Sequence, residues 1–318
     1  METPVLLTLD QWRGVAAGFG LAIAPHSPLS GGGAAASRKP PKGKGWREAI
    51  AALAAPDRQV SYIVPAANAL KVVSYFGGGK LGDDALVECR LEEGGVRIDF
   101  PVSPEAVAED AREVLLADFP MVPDPFTANL SPAALTSLMA AVDVLRRATL
   151  TALLERRVPL DFHFTVSDLQ DEVAAGLAGK DARWMVTFLA QLAPLIAPPG
   201  PDDLTLGLAE LVSAGLVTLE RGRWSPTAPL VRLAGYWGSP MPAIAHQAIA
   251  FDPAGQMSAW AYRIAIRGAG PLIVLDYQGL LEGAPAVALK SVYGSVYVRE
   301  LTQMLDDLAA TPRAEAAR

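Results

Sequence analysis

Apolar and polar positions change period several times along this chain, and each change marks an element. Leu9, Trp12, Val15, Ala16 and Phe19 follow helical spacing and Thr8 with Gln11 forms a capping box, which predicts a first helix over about 9–19. From Ser27 to Gly45 no apolar period exists and Gly, Pro and small residues dominate, as in a mobile loop. WREAIAALAAP, from Trp46, restores helical spacing and stops at Pro56. Alternation then sets in at about 60–64, 69–76, 85–91 and 96–100 between Gly, Asp and Asn clusters, which predicts a four-stranded antiparallel meander. Ser103, Pro104 and Glu105 supply the N-cap, first-turn proline and first-turn acid of a helix over about 104–117.

Three prolines make FPMVPDPF, Phe119 to Phe126, a linker without regular structure. Ser131 and Pro132 open a long helix to about Arg157, Ser167 with Gln170 forms a second capping box, and helices over about 168–178 and 182–194 precede the stop APPGP. LAELVSAGLVTLERGRWSPTAPL, 208–230, then reads as helix, glycine, strand, charged turn and strand, the layout of the last helix and wing of a winged-helix unit. A short helix over 229–236, strands at about 244–251, 258–267, 271–277 and 286–292, and a helix over about 295–309 capped by Ser295 complete the pattern. The tail TPRAEAAR reads as frayed.

The order of elements recurs at the two ends. KVVSYFGGGKLGDDALVECRLEEGGVRIDFPVSPEAVAEDAREVLL matches AYRIAIRGAGPLIVLDYQGLLEGAPAVALKSVYGSVYVRELTQMLDDL in hairpin turns, third strand and closing helix, with few identities. Such agreement arises either from an internal duplication or from the commonness of meanders. The expected fold is α+β: two similar lobes, each an antiparallel β-meander with flanking helices, around a central helical segment that the two sheets flank. The expected divisions are an N-terminal lobe over 1–118 with a mobile loop at 27–45, a central helical segment over 119–200, a C-terminal lobe over 201–310 that starts with the winged-helix-like unit at 204–230, and a frayed tail over 311–318.

Composition adds limits. With 318 residues and 51% hydrophobic positions the chain can bury a substantial core. Its net charge of -7 weighs against a surface made to neutralise phosphates. Cys89 is the only cysteine, which leaves no intrachain disulfide or cysteine-based metal site and fits a small buried hydrophobe. The start METPVLLTLD lacks the basic region of a secretory signal, and the weakly charged run from Trp184 to Pro199 is too short to span a bilayer; the expectation is a cytoplasmic protein.

Local motifs point away from catalysis. FGGGK, Phe76 to Lys80, lacks the first glycine and the closing Ser or Thr of a phosphate loop and fits a hairpin turn. His26, His163 and His246 lie far apart without metal-ligand spacing and read as turn or edge residues. Gly294, Ser295 and Val296 are only a fragment of a nucleophile elbow. Asp168, Asp171 and Glu172 fit the first turn of a helix, where carboxylates oppose the helix dipole. No catalytic constellation and no cofactor are expected; an enzyme with an unrecognised site stays as an alternative.

DNA reading fares poorly as well. The helix over 204–217 has no Lys, Arg, Asn or Gln, and its only charge is Glu210. Between Val158 and Glu220 nine acids face two cations, Lys180 and Arg183, so only Arg221 and Arg223 in the wing turn could reach phosphate. The cations Arg38, Lys39, Lys42, Lys44 and Arg47 form a basic loop that either keeps the chain soluble or contacts an acidic partner, and a winged-helix DNA-binding regulator is the alternative that would use it.

The LTLDQW helix, the phrase WREAIAALAAPDRQVSYIV and the stretch LAELVSAGLVTLERGRWSP resemble, in element order over most of the chain, the EspG-type chaperones of type VII secretion. The resemblance implies a bacterial, cytosolic, non-enzymatic adaptor with a quasi-two-fold α/β fold that holds an export-bound helical partner. The basic stretch at 37–47 has no counterpart there, and no functional residue carries over. The expected function is therefore a chaperone-like adaptor that binds another protein. Candidate contacts are Arg38, Lys39, Lys42 and Lys44, Phe162 and Phe164 within PLDFHFTV, the linker FPMVPDPF, and Arg221, Arg223 and Trp224 at the wing.

Overall fold

The structure, a computed structural model, describes residues 5–31, 39–41, 43–66, 69–78, 81, 85–119, 121, 124–158, 162–179, 181, 183–192, 200–238, 242–279 and 281–310. The first meander consists of β2 (Arg58–Ala66), β3 (Ala69–Gly77), β4 (Leu86–Glu92) and β5 (Gly95–Val102), after a short edge strand β1 (Val5–Leu7). The second consists of β9 (Ala243–Phe251), β10 (Met257–Arg267), β11 (Leu272–Gln278) and β12 (Ala286–Val292), with β6 (Thr127–Leu130) on its outer edge.

The chain is α+β, and its two meanders are one sheet. Among the described residues the order β1-β5-β4-β3-β2-β9-β10-β11-β12-β6 runs through antiparallel neighbours, and β2 joins β9 from Arg58↔Ala250 to Ile63↔Ala245. Two separate sheets flanking the central helices were expected; instead the first strand of each meander closes the free edge of the other. The gain is physical, since an unpaired inner edge would leave a row of backbone donors and acceptors unmatched.

Helices cover both faces. α1 (Leu9–Gly18) and α2 (Trp46–Ala54) pack on the first meander through Trp12, Ile50, Leu53, Phe76, Val87 and Ile98. Trp12 stacks on Trp46 at 5.7 Å and its indole N–H donates to the Val96 carbonyl at 2.8 Å. The strand register puts Phe76, Val87 and Ile98 on the same face as Ala245, Ile264 and Leu275. That face of the second meander is covered by α4 (Pro132–Leu154), α5 (Val166–Ala178), α6 (Met185–Leu192), α7 (Pro201–Ser213) and α8 (Ala228–Tyr236). The opposite face carries α3 (Pro104–Val114) and α9 (Gly294–Ala310), the closing helices of the two meanders, side by side over the β2–β9 seam.

Local signals explain most boundaries. The Thr8/Gln11 capping box starts α1, and Ser103 and Ser131 cap α3 and α4 ahead of proline. α5 begins earlier than the sequence pattern suggests: Thr165 and Asp168 form its capping box, not Ser167 and Gln170. α9 starts at Gly294, so Ser295 lies inside the helix rather than capping it. α7 runs from Pro201 to Ser213, earlier than 204–217, because the Asp203 carboxylate accepts the Gly200 N–H at 2.9 Å and Gly215, at φ 69°, breaks the helix.

Candidate functional site: an uncharged face of the sheet

Side chains alternate between the two faces of a strand, so register alone sorts every strand residue of this sheet. On the face shared with α1, α2 and α4–α8, the strands present no Asp, Glu, Lys, Arg or His. Gln59, Ser61 and Ile63 of β2 stand beside Leu70, Val72 and Ser74 of β3 and beside Gln247 and Ile249 of β9, which leads to Trp260 and Tyr262 of β10. Charged strand residues lie on the other face, among them Arg58, Lys71, Glu88, Arg90, Arg263, Asp276 and Lys290.

Between the two groups of helices a strip of this uncharged face is uncovered among the described residues. Leu70 is 42%, Val72 44% and Leu91 81% exposed, while Gln59, Ile63, Ser74, Gln247, Ile249 and Trp260 are half-buried. A solvated face of an antiparallel sheet ordinarily alternates to polar or charged side chains. Here the period of two places leucine and valine outward, the signature of a surface that something else covers.

The polar groups of the strip are neutral. Gln59 Nε2 donates to Ser61 Oγ at 2.9 Å, and the Ser61 and Ser74 hydroxyls share a hydrogen bond of 2.9 Å. Tyr262 donates to the Leu192 carbonyl, which ties the end of α6 to the sheet, and burial raises its phenol to about 12. Below the sheet, on the charged face, His246 is buried with its Nε2 against the Tyr297 hydroxyl and its ring edge on Tyr62. Desolvation, aided by Arg263, pushes His246 down to about 3 and keeps it neutral. It sits in a central strand, not at the turn or edge expected of it.

The other expected candidates are scattered. Arg38 and Lys42 lie outside the described residues, and Lys39 and Lys44 are exposed on either side of Lys42. Arg221 and Arg223 are exposed at the wing turn, where Arg221 at φ 51° and Gly222 at φ 77° form the reversal between β7 (Val217–Glu220) and β8 (Arg223–Pro226). Phe164 is only 1% and Trp224 9% exposed, because the two form a β-bridge that adds a third short strand to the wing and buries both in the core beneath the central helices. Phe162 packs half-buried on that core and Phe126 does likewise, while Phe119 is exposed. Phe162, Phe164 and Trp224 belong to the core beneath the central helices and not to the strip, which the sequence reading missed; its signal was the absence of charge at every second position of several strands.

Of the residues weighed for chemistry, Glu172, Asp168, His26 and His163 have structural partners, and Gly79 and Lys80 of FGGGK lie outside the described residues. Glu172 is bound by both arms of Arg147 and Asp168 closes the α5 capping box. His26 stacks on Phe251 at 4.4 Å and His163 Nδ1 meets Ser225 Oγ at 2.7 Å. Cys89 is half-buried on β4, where desolvation and then Glu88 raise its thiol pKa. A cleft of about 450 Å³ beside α9 is lined by Lys290 and Glu300, which pair with each other at 2.7 Å, and by Arg263, which pairs with Asp276 at 2.9 Å.

The chain is similar in structure to the Mycobacterium tuberculosis type VII secretion system chaperone EspG5, solved in complex with a PE25-PPE41 dimer. The likeness has a TM-score of 0.45 at 12% identity and covers 96% of each chain. That protein is of the kind the sequence resembles. No protein-family model matches the chain, and no curated protein matches it. Among the described residues no helix is long and apolar enough to cross a membrane.

Proposed function

We propose that this protein is a non-enzymatic, chaperone-like adaptor and that it holds its protein partner against the uncharged strip between the two groups of helices. The observation that carries this is the outward placement of Leu70, Val72 and Leu91 on a sheet face without a single charged residue. Covering three such side chains contributes on the order of 1.5–3 kcal/mol each when burial is complete. Neutral hydroxyl and amide groups between them supply direction without the desolvation cost of buried ions.

The test is site-specific photocrosslinking in cells that make the protein natively. A photoreactive residue in place of Val72 or Leu91 is expected to trap a discrete protein adduct, and one in place of Glu105, exposed at the start of α3, is expected to trap none. Equal labelling at all three positions, or no adduct at Val72 and Leu91, would defeat the proposal. DNA reading is not favoured, since α7 presents Asp202, Leu206 and Ala209 outward and no cation.

A further inference from the structure

On the opposite, charged face of the sheet we infer a second docking site, independent of the strip: an extended, basic segment of a protein partner adds as a strand to the edge of β10 and lays alternate side chains in the cleft beside α9. β11 pairs with β10 only from Tyr262 to Arg267, so among the described residues Met257–Ala261 has a neighbour, β9, on one side only. A register shift between Met257 and Ala259 confines the usable edge to Ala259, Trp260 and Ala261. An edge that short suffices in this sheet, since β1 pairs with β5 through Val5, Leu6 and Leu7. The segment MSAWA carries neither Lys nor Pro, the residues that ordinarily guard an edge against pairing.

The same three residues line the cleft of about 450 Å³. Trp260 turns its ring to the uncharged face, where it stacks on Tyr262 at 5.7 Å, so its main chain is what meets the cleft. Ala259 and Ala261, with Ala248 opposite Ala261, form a floor of small side chains, and Met304 and Leu308 of α9 form an apolar wall. In an added strand every second side chain stands on the α9 side, over that floor. Charge selects what it carries. Arg263 and Lys290 are matched by Asp276 and Glu300. Two turns beyond Glu300, Asp307 follows Asp306 at the end of α9, in a last turn without a basic residue, where the negative end of the helix dipole adds to both carboxylates. A Lys or Arg reaching Asp307 across the apolar wall complements that end; an acid there is repelled.

Random peptides displayed on phage are selected on immobilised full-length Val72→Asp, in which the strip is spoiled, and enriched peptides are synthesised with blocked termini for fluorescence anisotropy with the native chain. They are expected to carry Lys or Arg between apolar residues, to lose binding to Ala261→Leu, which fills the floor, and to bind Asp307→Lys about five- to tenfold more weakly. N-methylation of the peptide main chain is expected to abolish binding at every second position and to be tolerated between them, the period of a paired strand. Tolerance at all positions overturns strand addition, and indifference to Asp307→Lys overturns the charge selection. No enrichment, or peptides that bind Ala261→Leu as tightly as the native chain, overturns the site and leaves the strip untouched. Circular dichroism of each variant verifies that it is folded.

Discussion

Arg147 on α4 grips Glu172 on α5 with two hydrogen bonds, Nε at 3.0 Å and Nη2 at 2.7 Å, while its guanidinium lies 4.4 Å from the centre of the Trp184 ring. Glu172 is buried and Arg147 is half-exposed, so the two ends of the pair differ in what their loss means. Removing Arg147 strands a carboxylate away from water; Arg147→Ala is expected to cost about 2–4 kcal/mol, and Glu172→Gln, which keeps one hydrogen bond, about half of that. Urea unfolding at neutral pH measures both. Equal small losses for the two variants would mean that the pair is a surface contact and does not fix α5 to α4.

α7 approaches α4 at Gly207. A Cβ there would overlap the Ser137 side chain and come within 2.8 Å of the Ala133 carbonyl oxygen, while Ser137 Oγ already donates to the Leu204 carbonyl at 3.3 Å. Gly207→Ala raises helix propensity but forces the helices apart, and the second effect dominates because the nearest atoms include backbone. A loss of about 1–3 kcal/mol is expected, with Ser137→Ala partly restoring stability in the double variant. Additive losses would show that the close approach is not the cause.

These contacts mark the boundary of what was legible in the sequence. Capping residues such as Thr8, Ser103 and Ser131 announced their helices because the signal is local. The meander strands were legible for the same reason, through alternation and turn residues. β1 was invisible because three residues cannot establish a period, and β6 was hidden behind the prolines of Phe119–Phe126. The β2–β9 junction depends on which edges meet, which no single segment encodes. The wing was legible at Arg221–Gly222, yet Phe164 and Trp224, expected as partner contacts, turned out to hold each other. The strip itself required register: Val72 faces outward with Ser74, rather than inward with Tyr75, only once Ile63↔Val72 is known.

Val72→Asp and Leu91→Asp are expected to leave stability within about 0.5 kcal/mol of the native chain, since both positions are solvent-facing. Val72→Asp is also expected to abolish the adduct trapped from position 91, and Leu91→Asp the adduct trapped from position 72. Thermal unfolding and circular dichroism distinguish a lost surface from a lost fold. A drop of several kilocalories per mole at Val72 would place that side chain in the core and remove the strip as a surface.

Two buried groups give the fold opposite responses to acid. Asp143 on α4 accepts the N–H groups of Met185 at 2.8 Å and Val186 at 2.9 Å, capping α6 from a neighbouring helix, and Arg146 Nη1 lies 3.2 Å away. Burial nevertheless dominates those favourable partners and raises its pKa from 3.8 to about 6. A carboxylate whose folded value lies above its unfolded one favours folding more as pH falls through about 6, and the gain is complete below 3.8. His246 works the other way: its folded value near 3 lies below the ordinary imidazole value of 6.5, so its neutral form favours folding at high pH and that support is lost as pH falls below 6.5. At about 1.4 kcal/mol per unit, each group contributes on the order of 3 kcal/mol between pH 7 and pH 4, with opposite signs. The native chain is therefore expected to change little in stability over that range. Asp143→Asn should lose stability on acidification, and His246→Gln should gain it. Urea midpoints at pH 7, 5.5 and 4 for the three proteins measure this, and parallel curves would show that neither group is desolvated in the fold.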